Sequence, residues 1–206
     1  MTEVRDAALL RDAKKAALLP FGGGGERADF PGTMPVGFSR RALRQVMAED
    51  YFVSEKTDGV RYFLVVVERE GKAAGVLLDR KFNAYTAPGI DEAAAGLGPG
   101  TVLDGEVVWN RSWKRDVFMV FDGMACSAQC HASGKWASIV DDPLCKRLAC
   151  IQKDMLGGYA RGLGHEVKRD MAALPLIMKS FYKAGDIGEV LRNIASEGPD
   201  RVFLER

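Results

Sequence analysis

The stretch EKTDGVRYFLVVV, residues Glu55 to Val67, joins a polar turn to a run of aromatic and β-branched residues. Such a run predicts a buried β-strand that begins directly after the turn. A lysine that attacks a phosphate must first lose its proton, and neighbouring cations lower the pKa of a lysine. We therefore predict that Lys56 is a nucleophile whose pKa is lowered by Arg61 and a divalent ion. Asp58 is expected to reach the ammonium group, and Gly59 is expected to let the backbone approach a ligand. A plain turn with a solvated lysine is the alternative.

Composition indicates a globular protein with a sizeable core. The chain has 206 residues, of which 47% are hydrophobic, which suits one ordinary domain or one and part of another. The formal net charge is +1, with 29 basic and 28 acidic residues, so any contact with RNA must come from a local patch. No apolar run is long enough to span a membrane, and the N-terminus is too charged for a secretory signal. We expect an intracellular protein without a membrane partner.

Four cysteines, Cys126, Cys130, Cys145 and Cys150, lie around His131 in the second half of the chain. Their spacing differs from the compact patterns of structural zinc sites. Cysteines in reducing compartments are commonly small buried hydrophobic residues. We therefore expect free thiols rather than a zinc site or a disulfide framework.

The N-terminal part is expected to be helical, whereas the rest of the chain contains strands as well. Residues Thr2–Leu19 are rich in Ala, Leu and Lys, which predicts a helix with Thr2 as a possible cap. The glycines of 22–25 then end it. We accordingly divide the chain into an N-terminal helix with a glycine-rich linker, residues 1–29, and one domain, residues 30–206.

The rest of the chain has the pattern of an α+β domain with antiparallel hairpins. Helices are predicted at Arg40–Glu49, from Asp142-Pro143 to Gly157-Gly158, and from Asp186 to Gly198-Pro199. Strands are predicted at Tyr51–Lys56, Tyr62–Val67, Val76–Asp79, Thr101–Val108, Val117–Phe121 and Ile177–Tyr182.

Two carboxylates and an aromatic residue are further candidates for a site. Asp104 and Glu106 share one face if their strand is regular, because side chains alternate with period two. Facing a cleft, they would suit a ribose hydroxyl or hydrated magnesium, whereas a solvated hairpin edge is the alternative. Phe121 is able to stack on a purine, although an aromatic residue in a strand is more often part of the core.

Taken together, these motifs resemble the covalent nucleotidyltransferase superfamily, which includes mRNA capping guanylyltransferases and polynucleotide ligases. The shared motifs, in order, are Lys56-Thr57-Asp58-Gly59, Asp79-Arg80, Asp104-Gly105-Glu106 and Phe121-Asp122. The capping branch is the most similar, and ligases lack the further series. That series is Phe30–Val36, Glu49–Lys56, Leu78–Tyr85 and Met178–Lys183. The resemblance extends from Phe30 to the C-terminus.

The resemblance implies a fold and a reaction. The fold would be a nucleotidyltransferase domain with ATP-grasp-like antiparallel sheets and flanking helices. Lys56 would form a phosphoramidate with GMP and release pyrophosphate, supported by Asp58. The GMP would then pass to the 5′-diphosphate end of RNA, and Mg²⁺ or Mn²⁺ would offset the phosphate charge.

The resemblance also implies roles around the nucleotide. Phe121 would pack on guanine, Lys179 would read the edge of the base, and Glu106 would contact the ribose. Asp122 would help to hold the metal ion. The nucleotide-binding residues implied in this way are Arg61, Arg80, Glu106, Phe121 and Lys179.

The chain departs from the family pattern at several positions. Met34 stands where family members usually have Gln, and Arg201 replaces a glycine in the stretch 200–204. An alternative alignment uses Glu197-Gly198. Because the chain ends at Arg206, before a lysine-bearing motif and an OB-fold domain, we expect a domain that is incomplete at its C-terminus and lacks the OB fold.

The expected partners are GTP, 5′-diphosphate RNA and other capping components such as a triphosphatase or a methyltransferase, and the expected location is the nucleus. Two alternatives remain open. An ATP-dependent RNA or DNA ligase would become labelled by ATP rather than GTP. A catalytically silent homologue would bind nucleotide or RNA without transferring anything.

Overall fold

A computed structural model describes residues 1–23, 29–37, 39–111, 113–157 and 173–197, with side chains as far as Arg192. The strands are β1 (Thr2–Glu3), β2 (Phe52–Val53), β3 (Val60–Arg69), β4 (Lys72–Leu78), β5 (Ala84–Thr86), β6 (Val102–Asn110), β7 (Arg115–Cys126), β8 (Ala137–Ser138), β9 (Leu176–Met178) and β10 (Tyr182–Lys183). The helices are α1 (Ala7–Leu18), α2 (Arg40–Ala48), α3 (Ile90–Leu97), α4 (Leu144–Cys150) and α5 (Ile187–Glu197). A π-helical turn, Ile151–Met155, extends α4, and 3₁₀ turns occupy Leu19–Phe21 and Ala184–Asp186.

An eight-stranded sheet, antiparallel except for one pair, forms the centre of the molecule. Its strand order is β1-β5-β4-β3-β6-β7-β8, and β9 pairs with β7 in parallel. The side chains of the central strand β3 are apolar on both faces of the sheet, so helices cover both faces. All its residues from Tyr62 to Val67 are buried. The even-numbered ones share a core with α3 and α4, and the odd-numbered ones share a core with α1, as the alternation of side chains requires.

The register of β6 places its polar residues beside the start of β3. Arg61 lies opposite Glu106, and Phe63 lies opposite Asp104. On its other side β6 pairs with β7, where the register shifts on both sides of Asp104. Such bulges re-aim side chains and are common beside functional sites. The polar residues of β6 therefore gather at one end of the sheet.

A second, two-stranded sheet links the early and late parts of the chain. Strand β2 pairs with β10, with Val53 opposite Tyr182, and the amide of Ala184 donates to the carbonyl of Tyr51 at 2.8 Å. The predicted strand 177–182 is therefore two strands, β9 and β10, because each joins a different sheet.

Two predictions about the N-terminal half are wrong in detail. Thr2 is not a helix cap, because it pairs with Thr86 in β1, and the helix is capped by Asp6, whose carboxylate accepts from the amides of Ala8 and Leu9. The strand expected over 51–56 is limited to β2, and residues 54–59 form an irregular loop. α1 packs on the main sheet through buried alanines.

The other predicted elements are confirmed with small shifts of their ends. α4 begins at Leu144 with Pro143, rather than Asp142, at the N-cap. The predicted ends at Gly158 and at Gly198-Pro199, and the stretch 200–204, lie outside the described residues. Within the described ranges, no helix is long and apolar enough to cross a membrane. The fold is a mixed α+β arrangement of helices and antiparallel sheet, as predicted.

Candidate active site

The floor of the candidate site is a buried ion pair between Arg61 of β3 and Asp104 of β6. Arg61 Nε donates to Asp104 Oδ1 at 2.9 Å, and Nη2 donates to Oδ2 at 2.5 Å. The side chains are only 10% and 0% exposed. The remaining Nη1 donates to the carbonyl of Thr33 at 2.6 Å. Arg61 therefore joins the two central strands to the loop that precedes α2.

Burial dominates the titration of Asp104. Desolvation raises the pKa of this carboxyl to about 6, although the hydrogen bonds and charge of Arg61 act in the opposite direction. Arg80, which is exposed, also lowers the pKa of Asp104, and Asp122 raises it. The guanidinium of Arg61 is thus the main group that favours the charged form of this buried carboxylate.

The loop before α2 packs tightly against the floor. Phe30 stacks on Phe63 with ring centroids 4.3 Å apart, and the guanidinium carbon of Arg61 lies 5.2 Å from the centroid of the Phe30 ring. A Cβ atom on Gly32 would lie 2.4 Å from Phe30 Cε1 and 2.6 Å from Arg61 Nη2. Only glycine fits there without a rearrangement.

Lys56 and Asp58 form the exposed rim of the site. Lys56 Nζ donates to Asp58 Oδ1 at 2.5 Å, and the side chains are 85% and 80% exposed. This hydrogen bond and the charge of Asp58 raise the pKa of Lys56. The expectation that Arg61 lowers that pKa is therefore wrong for the protein alone, because the Arg61 guanidinium is held by Asp104 and the Thr33 carbonyl. Asp58 does reach the ammonium group, as predicted.

Lys179 and Glu106 connect three distant segments behind this rim. Lys179 Nζ donates to Glu106 Oε1 at 3.2 Å and to Thr57 Oγ1 at 3.0 Å. The other carboxylate oxygen, Oε2 of Glu106, accepts from the amide of Gly59 at 3.2 Å. The side chains of Lys179 and Glu106 are 13% and 12% exposed. Thr57 was not predicted as a site residue, although its place between Lys56 and Asp58 was a signal.

Gly59 allows a close approach, but the partner is a strand. A Cβ atom at this position would lie 2.4 Å from Val108 Cγ1 and 2.6 Å from the Val107 carbonyl oxygen. The glycine lets the loop lie flat on β6, which brings its amide to Glu106. The expected approach of the Gly59 backbone to a ligand is a prediction that this contact does not test.

Phe121 lies between the two buried cations of the site. Its ring centroid is 5.4 Å from the guanidinium carbon of Arg61 and 5.9 Å from Lys179 Nζ. The ring is half-buried. Arg61, Glu106, Phe121 and Lys179 are therefore brought together, and the predicted roles of these residues toward a nucleotide remain predictions.

The structure does not offer Asp122 as a free ligand for a metal ion. Both oxygens of its carboxylate accept from Arg147 of α4 at 2.8 Å, and Oδ1 also accepts from the amide of Gly123. The Asp122 side chain is 7% exposed. In the part of the chain that is described, no group of three or more His, Cys, Asp or Glu residues is arranged to hold a metal ion. The four cysteines are free thiols.

Comparison with known proteins identifies the family. The model of the family "mRNA capping enzyme, catalytic domain" matches residues 12–197. The chain belongs to this family. The predicted resemblance to the capping branch is thereby confirmed, whereas the ATP-grasp-like character of the sheets remains a prediction.

Curated relatives agree with the family match. Three of them are named mRNA-capping enzyme subunit alpha. The one from Neurospora crassa is 34% identical over 131 residues, which are 58% of this chain and 31% of the relative. The one from Schizosaccharomyces pombe is 33% identical over 134 residues, 56% of this chain and 33% of the relative. The one from Saccharomyces cerevisiae is 29% identical over 147 residues, 63% of this chain and 30% of the relative. The chain spans about a third of the length of these relatives.

Proposed function

We propose that this capping-enzyme domain transfers GMP from GTP to the 5′-diphosphate end of RNA through a Lys56–GMP intermediate. The observation that carries the proposal is the exposed ammonium group of Lys56, close enough to Glu106 for its charge to raise the pKa of Lys56, where Glu106 pairs with Lys179 beside the half-buried ring of Phe121, in a member of the capping family. The names of the relatives support the same reaction class.

Asp58 determines when Lys56 is able to react. The lysine must be neutral to attack the α-phosphorus, and its hydrogen bond to Asp58 at 2.5 Å favours the ammonium form. In the first step the ammonium group gives one proton to Asp58, the neutral amine forms a P–N bond to the α-phosphorus, the P–O bond to pyrophosphate breaks, and the nitrogen releases a second proton to water. In the second step an oxygen of the RNA diphosphate attacks the same phosphorus. The P–N bond breaks, and Nζ takes up two protons to return to the ammonium form.

The side chains that gather around Lys179 suit a guanosine. The half-buried ring of Phe121 offers a face for stacking. Lys179 Nζ and Thr57 Oγ1, which are 3.0 Å apart, are hydrogen-bonding groups for the edge of the base. Glu106 is the acceptor for a ribose hydroxyl. Arg80, exposed and close enough to influence Asp104, is a cation for the phosphates.

We propose a divalent cation only as an ion that is bound to the nucleotide. Mg²⁺ or Mn²⁺ bound to GTP would neutralise phosphate charge during the transfer. The carboxylates of Asp104, Glu106 and Asp122 are already bound by Arg61, Lys179 and Arg147. These side chains therefore do not form a ready cation site.

The proposal is tested by incubating the purified chain with α-labelled GTP, and separately with α-labelled ATP, with magnesium or manganese. We expect an acid-labile label on the protein from GTP alone. Labelling by ATP alone would favour a ligase-like enzyme. No label from either nucleotide, together with saturable binding of GTP, would instead favour a silent homologue.

The cellular context follows from the same proposal. The relatives are named as alpha subunits, so we propose that the protein acts with other capping components, such as a triphosphatase or a methyltransferase. We propose the nucleus as its location, which fluorescence microscopy of the tagged protein tests directly.

A further inference from the structure

Helix α2 has a basic side and an apolar side, and none of its residues is buried. At 100° per residue, Arg40, Arg44 and Arg41 lie within about 100° of one another, Leu43 and Val46 lie on the other side, and Met47 lies beside Arg40. All three arginines are exposed. The helix, of sequence RRALRQVMA, contains no acidic residue, although Glu49 and Asp50 follow it. Among the described residues, no ion pair holds any of the three arginines.

The segments before and after α2 contact elements that carry residues of the candidate site or adjoin them. On the N-terminal side, the carbonyl of Thr33 accepts from Arg61 at 2.6 Å. On the C-terminal side, α2 leads into β2, which pairs with β10 just after Lys179. The chain between these two anchors contains α2. α2 is therefore tethered on both sides to segments that contact Arg61 or adjoin Lys179.

We propose that the arginine face of α2, defined as Arg40, Arg41 and Arg44, binds backbone phosphates of the acceptor RNA beyond its 5′ end. This inference rests on the proposed function, which makes the acceptor a polyanion. The net charge of the chain is only +1, so a local patch must supply the attraction. Arginine suits that task because its planar fork makes two hydrogen bonds to one phosphate.

The spacing of these residues fits a strand of phosphates. Arg40 and Arg44 are one turn apart, so their Cβ atoms lie about 5–6 Å from each other. Arg41 points about 100° away from Arg40 around the same helix, which widens the basic surface. The contacts are to backbone phosphates, so the RNA sequence should have little influence.

The test is direct binding of a fluorescent 5′-diphosphate RNA of ~20 nucleotides, measured by anisotropy over a range of salt concentrations without GTP. In the triple variant R40Q/R41Q/R44Q we expect affinity at low salt to fall about tenfold. We expect the slope of log K against log salt to lose about 2, since each phosphate contact to a single strand contributes about 0.7. Circular dichroism checks that the helix content is retained.

Two matched variants test whether RNA affinity depends on the positive charges themselves and on their location in α2. R40K/R41K/R44K keeps the charges, so most of the salt dependence should be retained. R5Q/R11Q/K72Q removes three exposed charges near the opposite end of β3, where Asp6 pairs with Arg69, and should bind RNA like the original chain. An unchanged slope in R40Q/R41Q/R44Q would overturn the inference. So would a variant that binds RNA normally but loses affinity for a phosphorylated peptide, since the surface would then serve a protein partner.

The two proposals fail in different ways. RNA binding is measured without nucleotide, so a chain that takes no label from GTP still tests the arginine face. Conversely, a chain that is labelled by GTP and binds RNA equally well with or without the three arginines keeps its proposed function and loses only this inference.

Discussion

The candidate site contains two ion pairs with equal closest contacts and opposite surroundings. Arg61 and Asp104 approach to 2.5 Å with side chains 10% and 0% exposed, whereas Lys56 and Asp58 approach to 2.5 Å with side chains 85% and 80% exposed. The contact distance is the same, so the difference in environment determines what each pair is able to do. The buried pair links β3 to β6. In the exposed pair, Asp58 stabilises the protonated form of Lys56.

The energetic consequences of breaking each pair should differ accordingly. Removing one partner of a buried pair leaves an uncompensated charge in the interior, which costs about 3–5 kcal/mol. An exposed pair contributes only about 0–1 kcal/mol, because water solvates both groups when they separate. Lys56 is therefore able to leave Asp58 without disturbing the fold, whereas Arg61 is not able to leave Asp104.

The largest expected effect is on labelling by GTP, after removal of the exposed cation. Lys56→Ala should abolish the covalent label, because no other group would form the acid-labile P–N bond. The free energy of unfolding should be almost unchanged, since the side chain is exposed. Gel labelling and urea denaturation measure the two quantities. Lys183→Ala, which removes another exposed lysine, should keep the label. A labelled Lys56→Ala protein would contradict the assignment of the nucleophile.

The next largest effect is on stability, after removal of the buried cation. Arg61→Met should lower the free energy of unfolding at pH 8 by about 3–5 kcal/mol. The loss should be smaller at pH 5. Arg61 lowers the pKa of Asp104, so without it that pKa rises above about 6 and the carboxyl is neutral in the acidic buffer. Urea denaturation at both pH values measures the difference, with Asp58→Asn as the exposed counterpart. An equal loss at both pH values would contradict the role given to Asp104.

A smaller effect is expected from crowding the buried pair without removing a charge. Gly32→Ala should destabilise the protein by about 1–3 kcal/mol, the usual cost of overpacking, because the new methyl group would meet Phe30 and Arg61. Gly37→Ala is the matched control, since a Cβ atom there meets nothing within 4 Å. Thermal denaturation of both variants measures the difference. Equal stability of the two would show that the loop before α2 is able to shift.

The smallest expected effect is a shift of a pH profile. Asp58→Asn removes the charge that raises the pKa of Lys56, so the midpoint of the rise in labelling rate with pH should move to lower pH. The midpoint, rather than the height of the curve, is the quantity to compare. Asp50→Asn, at another exposed acidic position, should leave the midpoint unchanged. A midpoint that moves to higher pH in Asp58→Asn would contradict the proton-holding role of Asp58.

The central strand of the sheet could be predicted because a short stretch of consecutive residues is enough to specify it. The apolar run after Gly59 contains enough β-branched and aromatic residues to specify a strand buried on both faces. The N-terminal end of α1 was misjudged because Ala-rich sequence is compatible with helix throughout, and only the side chain of Asp6 decides where the first turn begins. The strand predicted over 51–56 extends too far because residues 54–56, which belong to the loop 54–59, continue a strand-like pattern.

The site was predicted as a set of residues, but not as a set of contacts. Lys56 and Asp58 are two positions apart, so their pairing follows from the sequence. The pairing of Arg61 with Asp104 depends on how β3 and β6 align, which the motifs do not specify. Asp122 was assigned to a metal ion because the sequence does not reveal that Arg147 approaches it from α4. Likewise, the amphipathic pattern of α2 does not reveal that none of its residues is buried.

The contact between Lys179 and Thr57 joins residues 122 positions apart. During synthesis, N-terminal segments leave the ribosome first. Thr57, in the loop that carries Lys56, and Glu106 are therefore translated long before Lys179, their hydrogen-bonding partner. Until then Glu106 lacks its cation. A nascent chain that stops before Lys179 should build most of the central sheet and yet lack the contacts of Lys179 with Glu106 and Thr57, so the order of translation delays the assembly of the candidate site.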